Sequence, residues 1–373
     1  MRIIHLSYHV PTPNYTDPAA WIKRISFSVV VMESMATYGK VIGIYHINWK
    51  GVFHKNNVAY HFPGYKRWQL FLPFQFNQYV KKLTPDVVIV HGLIFPWQIL
   101  MLRWQVGSRV KILVQHHAER PLRYIRQYFQ RWADRYIDAY LFSSLDLGMC
   151  WVEKDQIRDK SKIKVIMGTS STFYPIEKQQ ARVRTNVVGD KIFLWVGRLD
   201  ANKDPLVVAK AFLQFSKLRP GVSLYMIYQT NELEENLKTL LNSDEGGGRI
   251  HLVGNIAYDE LLWWYNSADY IISGSHYEGS GIAVCEAMSC GCIPILTDIP
   301  SFQMMSNYGE IGFLYPVGNI EALCIVLEKS LFLNQETERE KVLQQFNQNL
   351  SGEANARKIM EVVQSIALKN KEE

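Results

Sequence analysis

The sequence predicts an α/β protein with two Rossmann-like, doubly wound domains that face each other across a cleft. Its 373 residues are too many for one ordinary core and suit two domains of roughly 150–200 residues each. Hydrophobic residues make up 48% of the chain and charged residues 20%, so the composition leaves no room for a long disordered region. Short β-rich runs alternate with helix-like stretches in both halves, which is typical of parallel sheets covered by helices on both faces.

The β-rich runs are spread along the whole chain. In the first half they predict strands at Arg2–Ser7, Lys40–Ile47, Asp86–His91, Val110–Gln115, Asp138–Ser143 and Lys162–Met167. In the second half they predict strands at Lys191–Val196, Val222–Tyr228, Ile250–Val253, Tyr270–Ser273 and Ile293–Thr297. Ligands bind at the carboxyl ends of the strands in such sheets, so we expect the functional residues in the loops that follow the strands, at the cleft.

The domain boundary is predicted in the polar stretch from Gly168 to Asp190, which contains Pro175 and has no sustained periodicity. The prediction is an N-terminal domain over residues 1–175 and a C-terminal domain over residues 176–353. A last helix, at about residues 354–369, is expected to pack back on the N-terminal domain.

The two halves differ in charge. Residues 1–175 hold 23 Lys and Arg against 10 Asp and Glu, a net charge of +13, whereas the remaining residues hold 18 against 25. The longest uncharged run, residues 87–102, is short of the roughly 18–20 residues that span a bilayer and is broken by Pro96. We therefore expect a cytoplasmic protein whose cationic half can lie peripherally on the inner face of the cell membrane.

The common nucleotide-binding motifs are missing from this chain. It has no G-x-G-x-x-G after a strand and no G-x-x-x-x-G-K-[ST], which argues against dinucleotide dehydrogenases and P-loop enzymes. It also has no Asp-x-Asp pair of the kind that holds a metal on a diphosphate, so no metal ligands are predicted. A phosphate site here would depend on basic side chains and helix N-termini.

The segment Ile271–Thr297 (IISGSHYEGSGIAVCEAMSCGCIPILT) carries the strongest functional pattern. A strand is followed by a Gly/Ser loop and a helix that starts at about Ile282. Glu278 lies ahead of this helix and Glu286 lies just over one turn inside it, so both can point into one cleft. The small residues before the helix leave the amides of Gly281 and Ile282 open to an anionic group. The alternative is that Glu278 caps the helix and Glu286 lies on a solvated face.

This segment resembles the E-x7-E signature of retaining GT-B glycosyltransferases, in particular glycosyltransferase family 4. A second segment, Leu194–Pro205 (LWVGRLDANKDP), is similar to the family's strand that leads into an Arg and a Lys that bind the donor diphosphate. Those two residues would be Arg198 and Lys203. The residues themselves agree, because two cations after a strand end can neutralise a pyrophosphate without a metal. For this pair alone, ordinary surface charge is the alternative.

The resemblance also implies roles for further residues. The first Glu of the family's motif contacts the transferred sugar and the second holds the ribose hydroxyls, which here would be Glu278 and Glu286. The stretch 252–269 resembles the segment that lines the nucleotide base, so Asn255 and Ile256 are expected to meet the base.

The family's N-terminal domain supplies the acceptor site and a histidine that follows a strand. The matching stretch here is Gln115-His116-His117-Ala118. His117 is the better match because a small residue follows it, and His116 remains the alternative.

One departure from the family concerns the loop after the first strand, where the family commonly has two glycines. This chain has a proline-rich loop at residues 11–18. Prolines remove amide donors, so the loop is expected to shape the acceptor site instead of binding the donor phosphate.

The function implied is that of a metal-independent, retaining hexosyltransferase. It would move a sugar from a UDP-, GDP- or ADP-sugar, with no further cofactor, to a glycan or lipid-linked acceptor in cell-surface polysaccharide or glycolipid biosynthesis. Two alternatives are a GT-B sugar-nucleotide epimerase, which needs no acceptor, and a non-catalytic sugar-nucleotide-binding module associated with a membrane.

The stretch after the two histidines predicts a membrane contact. Residues 119–140 (ERPLRYIRQYFQRWADRYIDAY) carry five arginines, from Arg120 to Arg135, among aromatic residues at helical spacing. Such a helix suits an anionic membrane surface, and core packing with a solvated basic face is the alternative. No recognised nucleic-acid-binding motif is present, so a nucleic-acid partner is not expected.

Overall fold

The computed structural model describes residues 1–372, which divide into two compact units. The N-terminal unit comprises Met1–Ser170 together with the chain from Ser351 onward, and the C-terminal unit comprises Ser171–Leu350. The chain passes from one unit to the other after Ser170 and again after Leu350, which are five and three residues before the predicted boundaries. The amide of Ser170 donates to the carbonyl of Phe27, 2.8 Å away, so the chain stays bound to the N-terminal unit up to this residue.

Both units contain parallel sheets flanked by helices. The strands of the N-terminal unit are β1 Arg2–Leu6, β2 Lys40–Ile44, β3 Gly51–Lys55, β4 Val58–Phe62, β5 Val87–His91, β6 Lys111–Gln115, β7 Ala139–Phe142 and β8 Ile163–Val165. The strands of the C-terminal unit are β9 Lys191–Gly197, β10 Val222–Tyr228, β11 Ile250–Gly254, β12 Tyr270–Ser273, β13 Ile293–Thr297 and β14 Phe313–Tyr315.

The helices follow the strands in alternation. The N-terminal unit has α1 Pro18–Arg24, α2 Ser26–Met35, α3 Arg67–Phe71, α4 Phe74–Lys82, α5 Pro96–Val106, α6 Ile125–Ala133 and α7 Leu145–Glu153. The C-terminal unit has α8 Lys178–Thr185, α9 Pro205–Ser216, α10 Glu234–Asn242, α11 Leu261–Ser267, α12 Ile282–Ser289, α13 Pro300–Met305, α14 Ile320–Ser330 and α15 Gln335–Gln345. The chain ends in α16 Gly352–Glu372, which belongs to the N-terminal unit.

The strand order reverses once in each sheet. The C-terminal sheet has the order β11-β10-β9-β12-β13-β14, and all its strands are parallel. The N-terminal sheet has the order β3-β4-β2-β1-β5-β6-β7-β8. The order reverses between β9 and β12 in one sheet and between β1 and β5 in the other. Loops that leave adjacent strands at such a point diverge to opposite faces of the sheet, and the crevice between them is the usual ligand position in doubly wound folds.

The N-terminal sheet has an edge hairpin that the sequence analysis did not predict. β3 runs antiparallel to β4, and the two are joined by Asn56 and Asn57, both with positive φ. Two consecutive asparagines in this conformation form the kind of tight turn that the right-handed twist of a hairpin favours. Short β14 at the edge of the other sheet was not predicted either.

The last helix packs within the N-terminal unit. α16 lies against α2, and its buried Ile359, Met360 and Val363 join the hydrophobic core that contains Val29 and Met32. The side-chain amide of Asn355, on the same helix, donates to the carbonyl of Thr169, 3.2 Å away. The last helix therefore adds to the hydrophobic core of the N-terminal unit.

Candidate active site

Two loops of the C-terminal unit start at the point where its strand order reverses. The first, residues 198–204, follows β9 and contains Arg198 and Lys203. The second, residues 274–281, follows β12 and contains Glu278. Because β9 and β12 are hydrogen-bonded neighbours, their carboxyl ends bring the two loops together.

Direct hydrogen bonds hold these two loops to each other. The side-chain amide of Asn202 donates to the carbonyl of Tyr277 at 3.0 Å, and the amide of His276 donates to the carbonyl of Asn202 at 2.8 Å. His276 Nε2 also lies 2.9 Å from a carboxylate oxygen of Asp204. The loop with the two cations and the loop with the carboxylate therefore form one assembly.

Lys203 and Glu278 form an ion pair inside this assembly. The Lys203 ammonium contacts Glu278 Oε1, and the Ser275 hydroxyl donates to the same oxygen at 2.7 Å. Arg198 differs, because its side chain is 60% exposed and contacts Asp200 at 3.0 Å. The assembly thus contains two cations that are each paired with a carboxylate, and Arg198 is the more exposed of the two.

The N-terminus of α12 lies at the end of the second loop. Gly281 has φ +57°, and a Cβ atom there would lie 2.6 Å from the ring of Phe302. Both the conformation and the close contact require glycine at this position. The N-cap residue of α12 is Gly281, which has no side chain to cap the helix. The first amides of a helix point outward and carry partial positive charge, so those at Ile282 are suited to an anionic group.

Glu286 lies one turn into α12, where it is 3% exposed. Its carboxylate accepts hydrogen bonds from the hydroxyls of Tyr258, at 2.7 Å, and Tyr265, at 3.0 Å. Burial raises the pKa of Glu286 to about 7, although the two phenol hydrogen bonds oppose the rise. A carboxylate has about four lone-pair positions, so the two phenols leave capacity for two more donors.

Asn255 and Ile256 lie where β11 leaves the sheet, after Gly254 with φ +80°. Ile256 is half-buried and packs on the hydrophobic core of the C-terminal unit, whereas Asn255 is exposed. The same stretch continues to Tyr258, which contacts Glu286. The β11 loop and α12 are therefore joined through a phenol–carboxylate hydrogen bond.

His116 and His117 lie in the loop after β6 of the N-terminal unit. His116 is buried, its Nε2 lies 2.8 Å from the carbonyl oxygen of Glu119, and its ring packs on Phe142. His117 is half-buried, its backbone amide donates to the Glu119 carboxylate at 2.7 Å, and its Nε2 lies 2.9 Å from Nδ1 of His91. Burial lowers the pKa of both imidazoles, that of His117 to about 3, so both rings are neutral at physiological pH.

Two residues of the proline-rich loop at residues 11–18, Thr12 and Asp17, form hydrogen bonds within the protein. The amide of Thr12 donates to the carbonyl of His46 at 3.0 Å, and the carboxylate of Asp17 accepts from the amides of Ala19 and Ala20 at the start of α1. The first helix after β1 therefore begins with a carboxylate cap and a proline, Pro18.

The basic stretch after the histidines contains a shorter helix than its spacing predicts. α6 covers Ile125–Ala133, and a 3₁₀ turn follows at Asp134–Tyr136. Aromatic residues along the helix are exposed, Tyr128 by 61% and Trp132 by 47%. Not every arginine is directed to solvent, since Arg126 donates to the carbonyl of Ile94 at 2.6 Å.

The sequence analysis missed several side chains that complete these sites. Tyr258 and Tyr265 hold Glu286, and Ser275 holds Glu278. Ser275 stands three residues before Glu278, a spacing that the loop itself could have suggested. The two tyrosines reach Glu286 from 28 and 21 positions away, and no local pattern indicates that pairing.

The family-model comparison concerns the C-terminal unit. Residues 177–349 match the family model for glycosyl transferases group 1. A D-inositol 3-phosphate glycosyltransferase of Pseudarthrobacter chlorophenolicus is 27% identical over 39% of this chain and 35% of its own. A GDP-mannose:cellobiosyl-diphosphopolyprenol alpha-mannosyltransferase of Xanthomonas oryzae is 25% identical over 64% of this chain and 63% of its own. The chain thus spans about a third of the first relative's length and under two thirds of the second's.

Solved structures match the complete fold. Sucrose-phosphate synthase of Thermosynechococcus elongatus has a TM-score of 0.70 at 18% identity and covers 99% of this chain and 100% of its own. Anabaena HepE, solved in complex with UDP, has a TM-score of 0.70 at 13% identity and covers 98% and 100%. Residues 177–349, which contain the two joined loops and Glu286, therefore match the glycosyl transferases group 1 family, and the chain has the two-domain GT-B fold.

Proposed function

We propose that this protein is a retaining glycosyltransferase that moves a hexosyl group from a nucleotide-diphosphate sugar to a glycan or lipid-linked acceptor. The observation that carries the proposal is the joined pair of loops at the strand reversal, which combines two cations, a carboxylate and an open helix N-terminus. The family match of residues 177–349 supports it, as do relatives that are named as glycosyltransferases.

In this proposal the donor diphosphate binds to the cations and the helix N-terminus. Arg198, Lys203 and the amides of Gly281 and Ile282 neutralise the charge that develops on the departing diphosphate. Lys203 is already paired with Glu278, so an arriving diphosphate competes for an ammonium that is held in place. The proposal assigns charge neutralisation to these groups and not to a metal. Among residues 1–372, no three His, Cys, Asp or Glu side chains are grouped to hold a metal ion.

Glu278 is proposed to orient the transferred sugar, whose hydroxyls are good donors to a carboxylate. The hydrogen bond from Ser275 keeps the carboxylate oriented when Lys203 turns to the phosphate. Glu286 would accept the two ribose hydroxyls at the lone-pair positions that its tyrosines leave. Asn255 and Ile256 would line the base.

The N-terminal unit is proposed to bind the acceptor, with His117 at the reacting end. His116 is a weaker candidate because its ring is buried and its Nε2 is bonded to the main chain. No protein nucleophile is assigned. Retention would arise by front-face transfer, in which the acceptor oxygen attacks from the side on which the diphosphate leaves and passes its proton to that diphosphate. The loop at residues 11–18 directs a carboxylate to the first amides of α1, which disfavours a phosphate there.

The acceptor side is also proposed to dock on an anionic membrane surface. Helices α3 to α6, and Tyr124 just before α6, carry exposed aromatic side chains, which are proposed to form the membrane-contacting face: Trp68, Phe71, Phe74, Trp104, Tyr124, Tyr128 and Trp132. Phe74 of α4 and Trp104 of α5 line a groove of about 520 Å³ with Lys81 and Lys82 at its side. Aromatic rings suit the interfacial region and lysines suit anionic headgroups. Within residues 1–372, no helix is both long and apolar enough to cross a bilayer.

Binding to vesicles tests this membrane contact. We expect the protein to sediment with phosphatidylcholine vesicles that contain phosphatidylglycerol and to do so weakly with phosphatidylcholine alone. Replacing Phe74 and Trp104 together by serine should release it. The matched control is Phe332→Ser, which removes an aromatic ring that is 82% exposed on the C-terminal unit. Equal loss in both variants would contradict a specific face.

The test of the transferase activity begins with the donor. Thermal stabilisation by UDP-, GDP- and ADP-sugars without added metal identifies the nucleotide, and mass spectrometry of the best binder with membrane extract then detects a hexose-sized gain on an acceptor. NMR of the product reports whether the anomeric configuration is retained. Glu278→Ala should abolish transfer and leave the fold intact, whereas Glu336→Ala, which removes an exposed glutamate of α15, should change neither.

Each alternative outcome has a distinct meaning. An altered sugar nucleotide released without any acceptor would indicate an epimerase. Binding without turnover would indicate a non-catalytic sugar-nucleotide module. Absence of stabilisation by any sugar nucleotide would refute the donor site.

A further inference from the structure

Three histidines of the N-terminal unit form a continuous chain of hydrogen bonds. Nδ1 of His5 lies 3.0 Å from Nε2 of His91, and Nδ1 of His91 lies 2.9 Å from Nε2 of His117. The successive ring planes are within 30° and 21° of each other. His5 is on β1, His91 ends β5 and His117 follows β6. The row of three histidines therefore begins at the strand reversal of this sheet and ends in the loop after β6.

The inner end of this chain is closed. His5 is 3% exposed, and its Nε2 is buried without a hydrogen-bond partner among residues 1–372. Burial lowers the pKa of both His5 and His91 to about 3, so both imidazole rings are uncharged near neutral pH. Besides His91, the titratable groups that affect the pKa of His117, at the outer end of the row, are His9, His116 and Glu119.

Neutral imidazoles restrict how such a chain can be protonated. Each neutral ring has one N–H donor and one acceptor nitrogen, so the two hydrogen bonds that join the three rings must run in the same direction. If His117 donates inward, the row ends in a buried N–H of His5 without a partner. If His5 donates outward, the row ends in an unpaired acceptor nitrogen. A buried N–H without a partner is the rarer and less favourable of these two arrangements in proteins.

We propose that His5 and His91 are positioning residues that hold His117 in the tautomer with its hydrogen on Nδ1. His117 Nε2 then accepts from His91, and His117 Nδ1–H is left as a donor. Within residues 1–372 this Nδ1 has no hydrogen-bond partner. A fixed donor suits an oxygen of the bound sugar or acceptor and cannot remove a proton from it. This inference rests on the proposed role of His117 in the transfer.

The tautomer is measurable without any activity. In protein labelled with ¹⁵N-histidine, the two ring nitrogens of each neutral imidazole differ in chemical shift according to which one carries the hydrogen. His117→Asn identifies the His117 signals by their loss. We expect a protonated Nδ1 and an unprotonated Nε2 for His117 in the wild-type protein. The reverse assignment, or rapid averaging between the two tautomers, would overturn the proposal.

Two substitutions of the middle residue separate the hydrogen-bond role from a packing role. His91→Gln keeps one acceptor and one donor, so it can link His5 to His117, whereas His91→Leu fills space without either. We expect the His117 signals to keep the wild-type pattern in the glutamine variant and to average in the leucine variant. His46→Phe is the matched control, because it replaces another buried histidine of the same unit, one that packs edge-on against Phe76.

Kinetics give the second readout. His91→Leu should lower kcat about tenfold or more with the KM for the donor within about twofold, since the donor is bound by the C-terminal unit, and His91→Gln should recover most of kcat. Equal kcat in the leucine and glutamine variants would refute a role of the chain in catalysis. If the wild-type protein transfers no sugar, the proposed function fails, yet the ¹⁵N spectra still test the tautomer.

Discussion

The proposed contact of Glu286 with the ribose predicts that nucleotide binding depends on pH near neutrality. Burial raises the pKa of its carboxyl group to about 7, so a large share is protonated in the ligand-free protein at pH 7. Ribose hydroxyls donate hydrogen bonds, and only the ionised carboxylate can accept from both of them while it also accepts from Tyr258 and Tyr265. Binding must therefore be coupled to loss of a proton, and affinity should rise as the pH rises through 7.

The size of the effect follows from this pKa. If only the ionised form binds, the apparent dissociation constant is multiplied by one plus ten to the power of the pKa minus the pH. That factor is about 11 at pH 6 and about 1.1 at pH 8 for a pKa of about 7. Affinity should thus increase about tenfold between pH 6 and pH 8, which corresponds to about 1.4 kcal/mol.

Calorimetry of a sugar nucleotide measures both parts of this prediction. A UDP- or GDP-sugar is preferable to UDP or GDP, because its diphosphate is esterified at both ends and has no titration near neutral pH. At pH 6 the apparent binding enthalpy should depend on the ionisation enthalpy of the buffer, since close to one proton is released. Glu286→Gln should bind with an affinity that is flat between pH 6 and pH 8.

Two results would refute the reasoning. The first is a wild-type affinity that does not change between pH 6 and pH 8. The second is a pH dependence that persists in Glu286→Gln, which would assign the titration to a different group.

Three further predictions concern the C-terminal unit. Glu286→Gln should raise the free energy of unfolding at pH 8 by up to about 3 kcal/mol, because it removes a buried carboxyl group whose pKa rises from 4.5 to about 7 on folding. This gain in stability should vanish below pH 4.5. Chemical denaturation of both proteins at pH 8 and below pH 4.5 measures it. Arg198→Ala should weaken sugar-nucleotide binding by about 10–100-fold through loss of a charge-assisted hydrogen bond, whereas Lys329→Ala, at an exposed position of α14, should leave calorimetric affinity unchanged. Gly281→Ala should destabilise the unit by about 1–3 kcal/mol, because alanine is strained at φ +57° and its Cβ would lie 2.6 Å from the Phe302 ring. Thermal melts measure this loss, and Gly248→Ala, whose Cβ would meet nothing within 4 Å, is the control.

Local sequence patterns account for the part of this protein that could be predicted. The strand–loop–helix segment around Glu278 and Gly281 is contiguous, so its spacing alone places a carboxylate ahead of a helix N-terminus. The same holds for Arg198 and Lys203 after β9. The alternation of strands and helices predicts both parallel sheets for the same reason, since each crossover is a local unit.

The features that the sequence did not indicate depend on long-range contacts. Tyr258 and Tyr265 meet Glu286 only because α11 and the turn before it pack beside α12, and phenols look the same in sequence whether or not they reach a carboxylate. The histidine chain joins residues that are 86 and 26 positions apart. The edge hairpin was missed for a different reason, because its two strands are joined by only two residues and no helix separates them.

The strand reversal has opposite electrostatic outcomes in the two units. At β9 and β12 the loops bring together charged groups that are hydrogen-bonded to each other. The burial of Glu286 in the next helix costs stability when its carboxylate is ionised, and hydrogen-bond donors of a ligand would offset that cost. At β1 and β5 it gathers only neutral imidazoles, whose pKa values are lowered by burial. Among the residues that the structure describes, no carboxylate pairs with His5, so protonation of the three histidines would leave an unpaired cation and their neutral form is retained down to acidic pH. A neutral imidazole cannot neutralise a diphosphate, which agrees with the proposal that the C-terminal unit binds the donor phosphates and that the histidines of the N-terminal unit act through directional hydrogen bonds.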